Sequence, residues 1–502
     1  MAGESVPQSR PLKYGEPAGR WVLASTVLGS SVAFLDATVV NIALPAIDQQ
    51  LSAGVAGLTW TVNAYNLTLA AFVLIGGSLG DRYGRRRVFM VGVAWFGLTS
   101  LACALATNIG MLVTFRALQG IGAALLTPVA LAILQAAFRA EDRARAIGAW
   151  SGLAGITGAV GPLLGGWLIE LASWRWIFLI NVPVVLVVLV IAHRHVPESR
   201  HVAARGRLDL GGASLAALTL GLLTYALTVS SEQDGHWLTV AAGGGLGVLA
   251  LAGFLYRERT AADPLLPLDI FRAPRFGATN AATFLVYAAL GTVFFWLVLA
   301  LQVVSGWTPL AAGLALLPVT VLMLFFSPAA GLASNRWGPR IPMTLGPLVA
   351  AAGVALLSRV GPHPAIVTDV LLPVTLLGAG LTLTVTPLTA TVLGAVDEAR
   401  AGLASGVNNA VARTGGLVLV AAMPALTGLG GEGFSDAEAL GPAFTTAMAI
   451  CAGVLVVAGV GAGLMIRGPA ELPSPGPTCP RRHCAVDATP LGVSEARKTE
   501  LP

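Results

Sequence analysis

Two ionisable side chains, Asp36 and Arg116, lie deep inside apolar runs of the chain. A charge at the centre of a bilayer costs about 2.5–3.5 kcal/mol on insertion scales, and a carboxyl group in a low-dielectric setting is suited to take up and release a proton. Asp36 is the one carboxylate well inside a run, since Asp209, Glu170 and Asp369 fall at run ends. A guanidinium at the same depth could neutralise it. If the first run enters at Trp21, Asp36 lies roughly 22 Å along a helix axis; if the fourth enters from the opposite side at Gly110, Arg116 lies about 9 Å down. In an apolar core about 30 Å thick these levels nearly coincide. The pair is therefore expected to couple a proton to motion, protonation weakening the link between Asp36 and Arg116 or a nearby polar group. An aspartate that merely bonds a neighbouring helix is the alternative.

Arg413, flanked by Asn408 and Asn409, is the other arginine inside a run, either a cavity residue or a tie between helices. With Tyr65, Asn41, Gln119 and Asn409 it forms the candidate substrate cavity. In the fifth run Gly152, Gly155, Gly158 and Gly161 recur every third residue, followed by Pro162, Gly165 and Gly166. Small residues so spaced let helix backbones approach closely, and proline permits a bend.

These side chains need a membrane around them. Only 11% of the 502 residues are charged, 55% are hydrophobic and mean hydropathy is +0.78, which indicates an all-α polytopic membrane protein. Runs of about 18–25 residues, long enough to span, are expected at fourteen places: near 21–43, 58–79, 88–106, 110–134, 147–169, 176–192, 209–229, 238–256, 277–301, 309–331, 341–358, 367–391, 402–425 and 443–466. The basic residues test this independently, because they collect in cytoplasmic loops. Of 30 Lys and Arg, 18 fall in the six loops after even-numbered runs and eight in the termini. The loops on the other side hold only Arg175 and Arg359. Both termini are thus expected in the cytoplasm, in a cytoplasmic (inner) membrane. The first 20 residues lack the apolar core and cleavage site of a signal peptide, so the first run is expected to remain as a helix.

The net charge of +5 follows this topology and implies no nucleic-acid partner. Neither Lys13 nor Lys498 follows a glycine, which excludes a phosphate-binding loop ending in Gly-Lys-Ser/Thr. Cys103 and Cys451 lie in runs; Cys479 and Cys484 lie beside His483 in a tail without a second ligand pair, so no metal is expected. The six histidines lie in loops, at run ends or in the tail, leaving no buried cluster for an embedded enzyme. No cofactor is expected.

A short charged stretch, Gly77-Ser78-Leu79-Gly80-Asp81-Arg82-Tyr83-Gly84-Arg85-Arg86-Arg87, separates the second and third runs. Glycines suit the tight bend. An ordinary positive-inside loop accounts for its arginines but not for Asp81 and the glycine spacing. The stretch recurs: Gly77, Arg82, Gly84 and Arg86 align with Gly331, Arg336, Gly338 and Arg340 at an offset of 254, with Asn335 in place of Asp81. Gly152-Leu153-Ala154 and Gly165-Gly166 recur as Gly402-Leu403-Ala404 and Gly415-Gly416 at an offset of 250. Repeated helix bundles with a site between them mark secondary transporters. The expected organisation is a cytoplasmic segment 1–20, a six-helix bundle 21–192, a linker 193–208, inserted helices 7 and 8 over 209–256, a linker 257–276, a second bundle 277–466 and a disordered cytoplasmic tail 467–502.

With these residues in view, the chain resembles the major facilitator superfamily, and within it the fourteen-helix drug:proton antiporter group. Gly77–Arg87 resembles the superfamily's loop between helices 2 and 3, and Arg116-Ala117-Leu118-Gln119-Gly120-Ile121-Gly122 its helix-4 signature. Gly158-Ala159-Val160-Gly161-Pro162-Leu163-Leu164-Gly165-Gly166 is similar to the helix-5 motif of exporters. Leu35-Asp36-Ala37-Thr38-Val39-Val40-Asn41-Ile42-Ala43-Leu44-Pro45 and Trp174-Arg175-Trp176-Ile177-Phe178-Leu179-Ile180-Asn181-Val182-Pro183 resemble stretches of the fourteen-helix group. The resemblance implies two six-helix bundles plus two inserted helices, working as a monomer that exchanges protons for a small lipophilic drug or antibiotic. It implies a gate at Gly77, Asp81, Arg82, Gly84, Arg85 and Arg86, with a charge network across the halves, and a fifth helix at Gly158, Gly161, Pro162, Gly165 and Gly166 that meets the other half and limits proton leak. An uptake symporter is the alternative within transport. The run 309–331 lacks the extra carboxylate of some members, which argues against a dedicated second acid for divalent substrates.

Overall fold

The structure, a computed structural model, describes residues 11–199, 209–230, 237–262, 264–396, 400–431 and 433–466. The expected tail 467–502 and most of the linker 193–208 lie outside the described residues. What is described is helical, with a single isolated bridge between Leu12 and Phe138. In chain order the long helices are α1 (Pro17–Leu51), α2 (Gly54–Tyr83), α3 (Arg85–Ala104), α4 (Ile109–Ala137), α5 (Ala140–Leu171) and α6 (Asn181–His195, after the turn Trp176–Leu179). Then follow α7 (Leu210–Val229), α8 (Trp237–Thr260), α9 (Pro274–Leu299), α10 (Leu317–Trp337, after Pro309–Ala315), α11 (Arg340–Leu357), α12 (Leu372–Gly394), α13 (Ala401–Thr427) and α14 (Ala437–Met465).

Among the described residues 12 helices are long and apolar enough to cross a membrane, or 13 when the bent α2 counts as one span. The remaining expected run, 147–169, lies within α5, a 32-residue helix. Its first turn carries Glu141 and Asp142, with Arg143 and Arg145 following, so the helix runs well past its apolar part. α1 does the same: it reaches Leu51 through Pro45 and ends at Ser52, whose φ of 50° stops the helix.

Helices of one half pack on one another, α2 on α4, α3 on α4 and α1 on α5, and correspondingly α10 on α12, α11 on α12 and α9 on α13. α7 lies against both α2 and α13, while α8 packs chiefly on α7 and exposes Trp237, Leu249 and Tyr256. An outward apolar face of this kind is what lipid requires. The apolar core divides in an informative way. Its largest cluster runs from Leu35–Ile47 of α1 through Val286–Leu299 of α9 and joins the halves. Toward the face that carries the α2–α3 turn, here the turn face, there are two separate clusters, one around Phe89 and Phe138 and one around Phe276 and Met343.

Candidate functional site

α4 begins where the Asn108 side chain accepts a hydrogen bond from the Met111 amide at 2.8 Å, an N-cap that fixes the helix start. Two turns later Arg116 turns into the first half, away from lipid. Its Nη1 donates to Oδ2 of Asp36 on α1 and, at 2.7 Å, to Oε1 of Gln119; its Nε donates to the Thr61 carbonyl on α2 at 3.1 Å. Gln119 Nε2 in turn donates to Asp36 Oδ1 at 3.0 Å and to Ser100 Oγ at 2.8 Å, and Asn181 Nδ2 on α6 reaches the same hydroxyl at 2.9 Å. The Arg116 guanidinium carbon lies 4.4 Å from the centre of the Tyr65 ring and 5.8 Å from that of Phe178.

The result is a closed network among α1, α2, α3, α4 and α6, all in the first half. Asp36 is 0% and Arg116 1% exposed. Arg116 keeps neutral partners, Thr61, Gln119 and the Tyr65 face, that do not depend on the charge of Asp36. A proton arriving on Asp36 would therefore leave a supported guanidinium. It would still remove the counter-charge, and breaking a buried pair by removing one partner costs about 3–5 kcal/mol.

Of the candidate cavity residues, Tyr65 and Gln119 stand inside this network: Tyr65 is buried and its hydroxyl points to the Ala33 carbonyl at 3.4 Å. Asn41 is half-buried, with a buried Oδ1 that has no hydrogen-bond partner. In the second half Arg413 is half-buried and Nη1 reaches Asn66 Oδ1 of α2 at 3.5 Å, so it contacts the other half. Asn409 is exposed and bonds its own helix at Ser405, while Asn408 accepts from Thr283 at 2.8 Å.

The charged turn is built around Gly84, whose φ of 108° is a conformation that side chains rarely adopt. Asp81 pairs with Arg85 at 2.7 Å, and Arg85 also donates to the Ala132 carbonyl at 3.0 Å. The Arg86 amide donates to Glu198 Oε1 at 3.1 Å, with the Arg86 and Arg87 guanidinium groups 3.9 and 3.7 Å from the same carboxylate. Arg82 lies 5.9 Å from the Tyr83 ring. Among the described residues these contacts join the α2–α3 turn to Ala132 and Glu198 of the same half.

Among the described residues, a set of direct contacts joins the halves at the face opposite the turn. There the Ser435 hydroxyl donates to Asp48 of α1, the Val55 amide donates to the Gly431 carbonyl at 2.9 Å, and Gln302 Nε2 donates to the Ile42 carbonyl at 3.0 Å. Gln302 sits in the wide π-helical turn Ala300–Val304 at the end of α9. The Leu310 amide donates to Glu170 Oε1 of α5 at 3.0 Å. α5 makes this possible through its glycine motif: a Cβ on Gly166 would stand 2.5 Å from the Leu310 Cα, and one on Gly313 would stand 2.5 Å from the Pro162 carbonyl. Gly161 and Gly165 face α1 instead, against Thr38 and Val39. Gly158 lies in the helix, but its surroundings are outside the described residues.

Glu198, Ser100, Asn181, Asp48 and Ser435 were not singled out from the sequence. Ser100 and Asn181 carried a usable signal, since polar side chains in apolar helices require partners. Asp48 and Glu198 fell beyond the apolar runs, where an acid looks ordinary.

Comparison with known proteins completes the picture. The model of the Major Facilitator Superfamily matches residues 26–421. The chain is 37% identical to the multidrug resistance protein Stp of Mycobacterium tuberculosis (strain CDC 1551 / Oshkosh), over 77% of this chain and 72% of that one. It is 38% identical to the cephamycin export protein CmcT of Amycolatopsis lactamdurans, over 82% of this chain and 86% of that one. Among solved structures, a bacterial homologue of the human lysosomal transporter Spinster, in an inward-facing and unoccupied conformation, matches with a TM-score of 0.64 at 18% identity, covering 90% of this chain and 97% of that one. The helical membrane architecture, the extent of the family match and these relatives agree: the chain belongs to the Major Facilitator Superfamily and is a multi-pass membrane transporter, not an enzyme.

Proposed function

We propose that the protein is a proton-coupled exporter of lipophilic drugs or antibiotics, working as a monomer in the cytoplasmic membrane with both termini inside. The observation that carries this reading is the buried Asp36–Arg116 pair, whose acid lies on the same helix, α1, that makes the closing contact at Asp48. Asp48 lies twelve residues beyond Asp36 on α1, roughly 18 Å along the axis. With the arginine-rich turn face assigned to the cytoplasm, the joined face is the outer gate. A proton on Asp36 removes about 3–5 kcal/mol of pairing. Reversing a two-state equilibrium from 1:99 to 99:1 takes about 5.5 kcal/mol, so one protonation event supplies much of what reorientation requires. Arg116, held by Thr61, Gln119 and Tyr65, keeps its place while α1 shifts. Gly166 and Gly313 let α5 and the start of the tenth span close tightly against proton leakage.

The names of Stp and CmcT, one a multidrug resistance and one an antibiotic export protein, support the direction and the substrate class. The absence of a second deep acid among the described helices of the second half favours a neutral or singly charged lipophile over a dication. The test is accumulation of a drug in inside-out vesicles that contain the protein. Export requires uptake driven by an acidic interior and lost when the pH gradient is dissipated, together with raised resistance in a pump-deficient bacterial host. Uptake insensitive to the gradient, or accumulation only in right-side-out vesicles, would overturn the assignment.

A further inference from the structure

The inserted hairpin α7–α8 holds a second pair of acids, at the end nearest the turn face. Asp209 caps α7 and Glu258 lies in the last turn of α8; they are 5% and 3% exposed. Each carboxylate is satisfied on one oxygen only. Asp209 Oδ1 accepts from the Gly212 amide at 2.9 Å and from Arg257 Nε at 2.6 Å. Glu258 Oε2 accepts from the Leu266 amide at 2.9 Å. The remaining two oxygens, Asp209 Oδ2 and Glu258 Oε1, are buried and without a hydrogen-bond partner. They converge on one place: a Cβ on Gly212 would lie 2.7 Å from the first and 2.9 Å from the second. Two bare carboxylate oxygens thus border one small space beside Gly212.

Two ionised acids so placed repel each other, and buried oxygens without donors carry a desolvation penalty. One proton relieves both costs. We infer that Asp209 and Glu258 share a single proton, carried on Glu258 Oε1 and donated to Asp209 Oδ2, so that the hairpin is a proton-binding site separate from Asp36. The assignment of the proton to Glu258 follows from the other partners. Burial alone would raise Asp209, but the Gly212 amide and the Arg257 guanidinium outweigh it and hold that carboxyl below its ordinary range. Glu258 faces Asp209 and Arg257 as its charged neighbours, with the amides of Leu265 and Leu266 on its other side. A metal ion fits less well, because Arg257 already occupies Asp209 Oδ1 and no group of three or more ligating side chains is present among the described residues. With Arg257 counted, the two acids leave one negative charge, which one proton cancels.

The site is testable on the purified full-length protein by infrared spectroscopy across a pH titration, in an Asp36→Asn background that silences the deep acid. The expected result is a protonated-carboxyl band at neutral pH that is lost entirely in Glu258→Gln. In Asp209→Asn the band should remain and shift, because its hydrogen-bond acceptor has changed. This second variant keeps the test valid if Glu258→Gln folds poorly. A band that is absent at neutral pH, one that survives Glu258→Gln, or one that Asp209→Asn leaves unmoved would overturn the inference. So would its abolition by added magnesium or calcium ions, which would assign the site to a metal.

Discussion

Gly84 and Gly338 occupy matching places in the two halves, each ending a long helix with a positive φ, 108° and 77°. Around the first, Asp81, Arg85, Arg86, Arg87 and Glu198 form a paired cluster; around the second, Arg340 donates to the Gly463 carbonyl at 2.8 Å and no acid joins it among the described contacts. The interiors differ in the same sense. The first half buries Asp36 against Arg116, whereas the second holds Arg413, half-buried and bonded to Asn66 across the divide. The backbone of the repeat is retained in both halves, and among the described residues the deeply buried ion pair lies in the first. On the proposed function, coupling of a proton to transport belongs to the first half, with the second supplying a surface against which it moves.

The largest expected effect is at the buried pair. Arg116→Ala leaves Asp36 an unpaired buried acid and should destabilise the protein by about 3–5 kcal/mol, seen as a lower melting temperature in detergent. Adding Asp36→Asn should recover most of that stability and none of the proton coupling. Arg413→Ala should cost no more than about 0.5–1.5 kcal/mol, the worth of an ordinary hydrogen bond. Equal losses from the two arginine variants would erase the contrast between the halves.

Next comes the crossing of α5 with the second half. Gly166→Val puts a branched side chain where Leu310 leaves no room, so the outer face cannot close. Transport should fall by at least about tenfold, since misplaced packing of even 1 Å can cost on the order of 100-fold, and an engineered cysteine near Ser435 should label more readily from outside. Ser435→Ala removes one hydrogen bond to a carboxylate, worth about 1.5–3 kcal/mol, and should raise the outward-open population by about tenfold or more, read by the same labelling. Unchanged labelling in both variants would show that these contacts do not close the gate.

The smallest effect belongs to Glu198→Gln, which loosens Arg86 and Arg87. Arg87 is 66% exposed on its side chain, so the change should stay within about 1 kcal/mol. A larger loss would mean that the first turn is held by more than a surface ion pair.

Asp36 and Arg116 were legible because a charge in an apolar run has few ways to be satisfied, and their depths along two antiparallel helices were calculable. The turn at Gly84 was legible from glycine spacing, and its repeat at Gly338 from register. What closed the opposite face was not. Asp48 and Glu170 lie at helix ends, where acids are common, and their partners, Ser435 and the Leu310 amide, come from distant segments. Glu258 escaped because α8 continues to Thr260, beyond the apolar run expected to end at 256.

The decisive measurement compares drug accumulation in inside-out vesicles carrying wild type or Asp36→Asn, with and without an imposed acid-inside gradient. Wild type should accumulate drug with the gradient and lose it when the gradient is collapsed, while Asp36→Asn, folded and still binding drug, should show no response. Gradient-driven accumulation at the wild-type level in Asp36→Asn would contradict the assignment of proton coupling to the first half's buried pair.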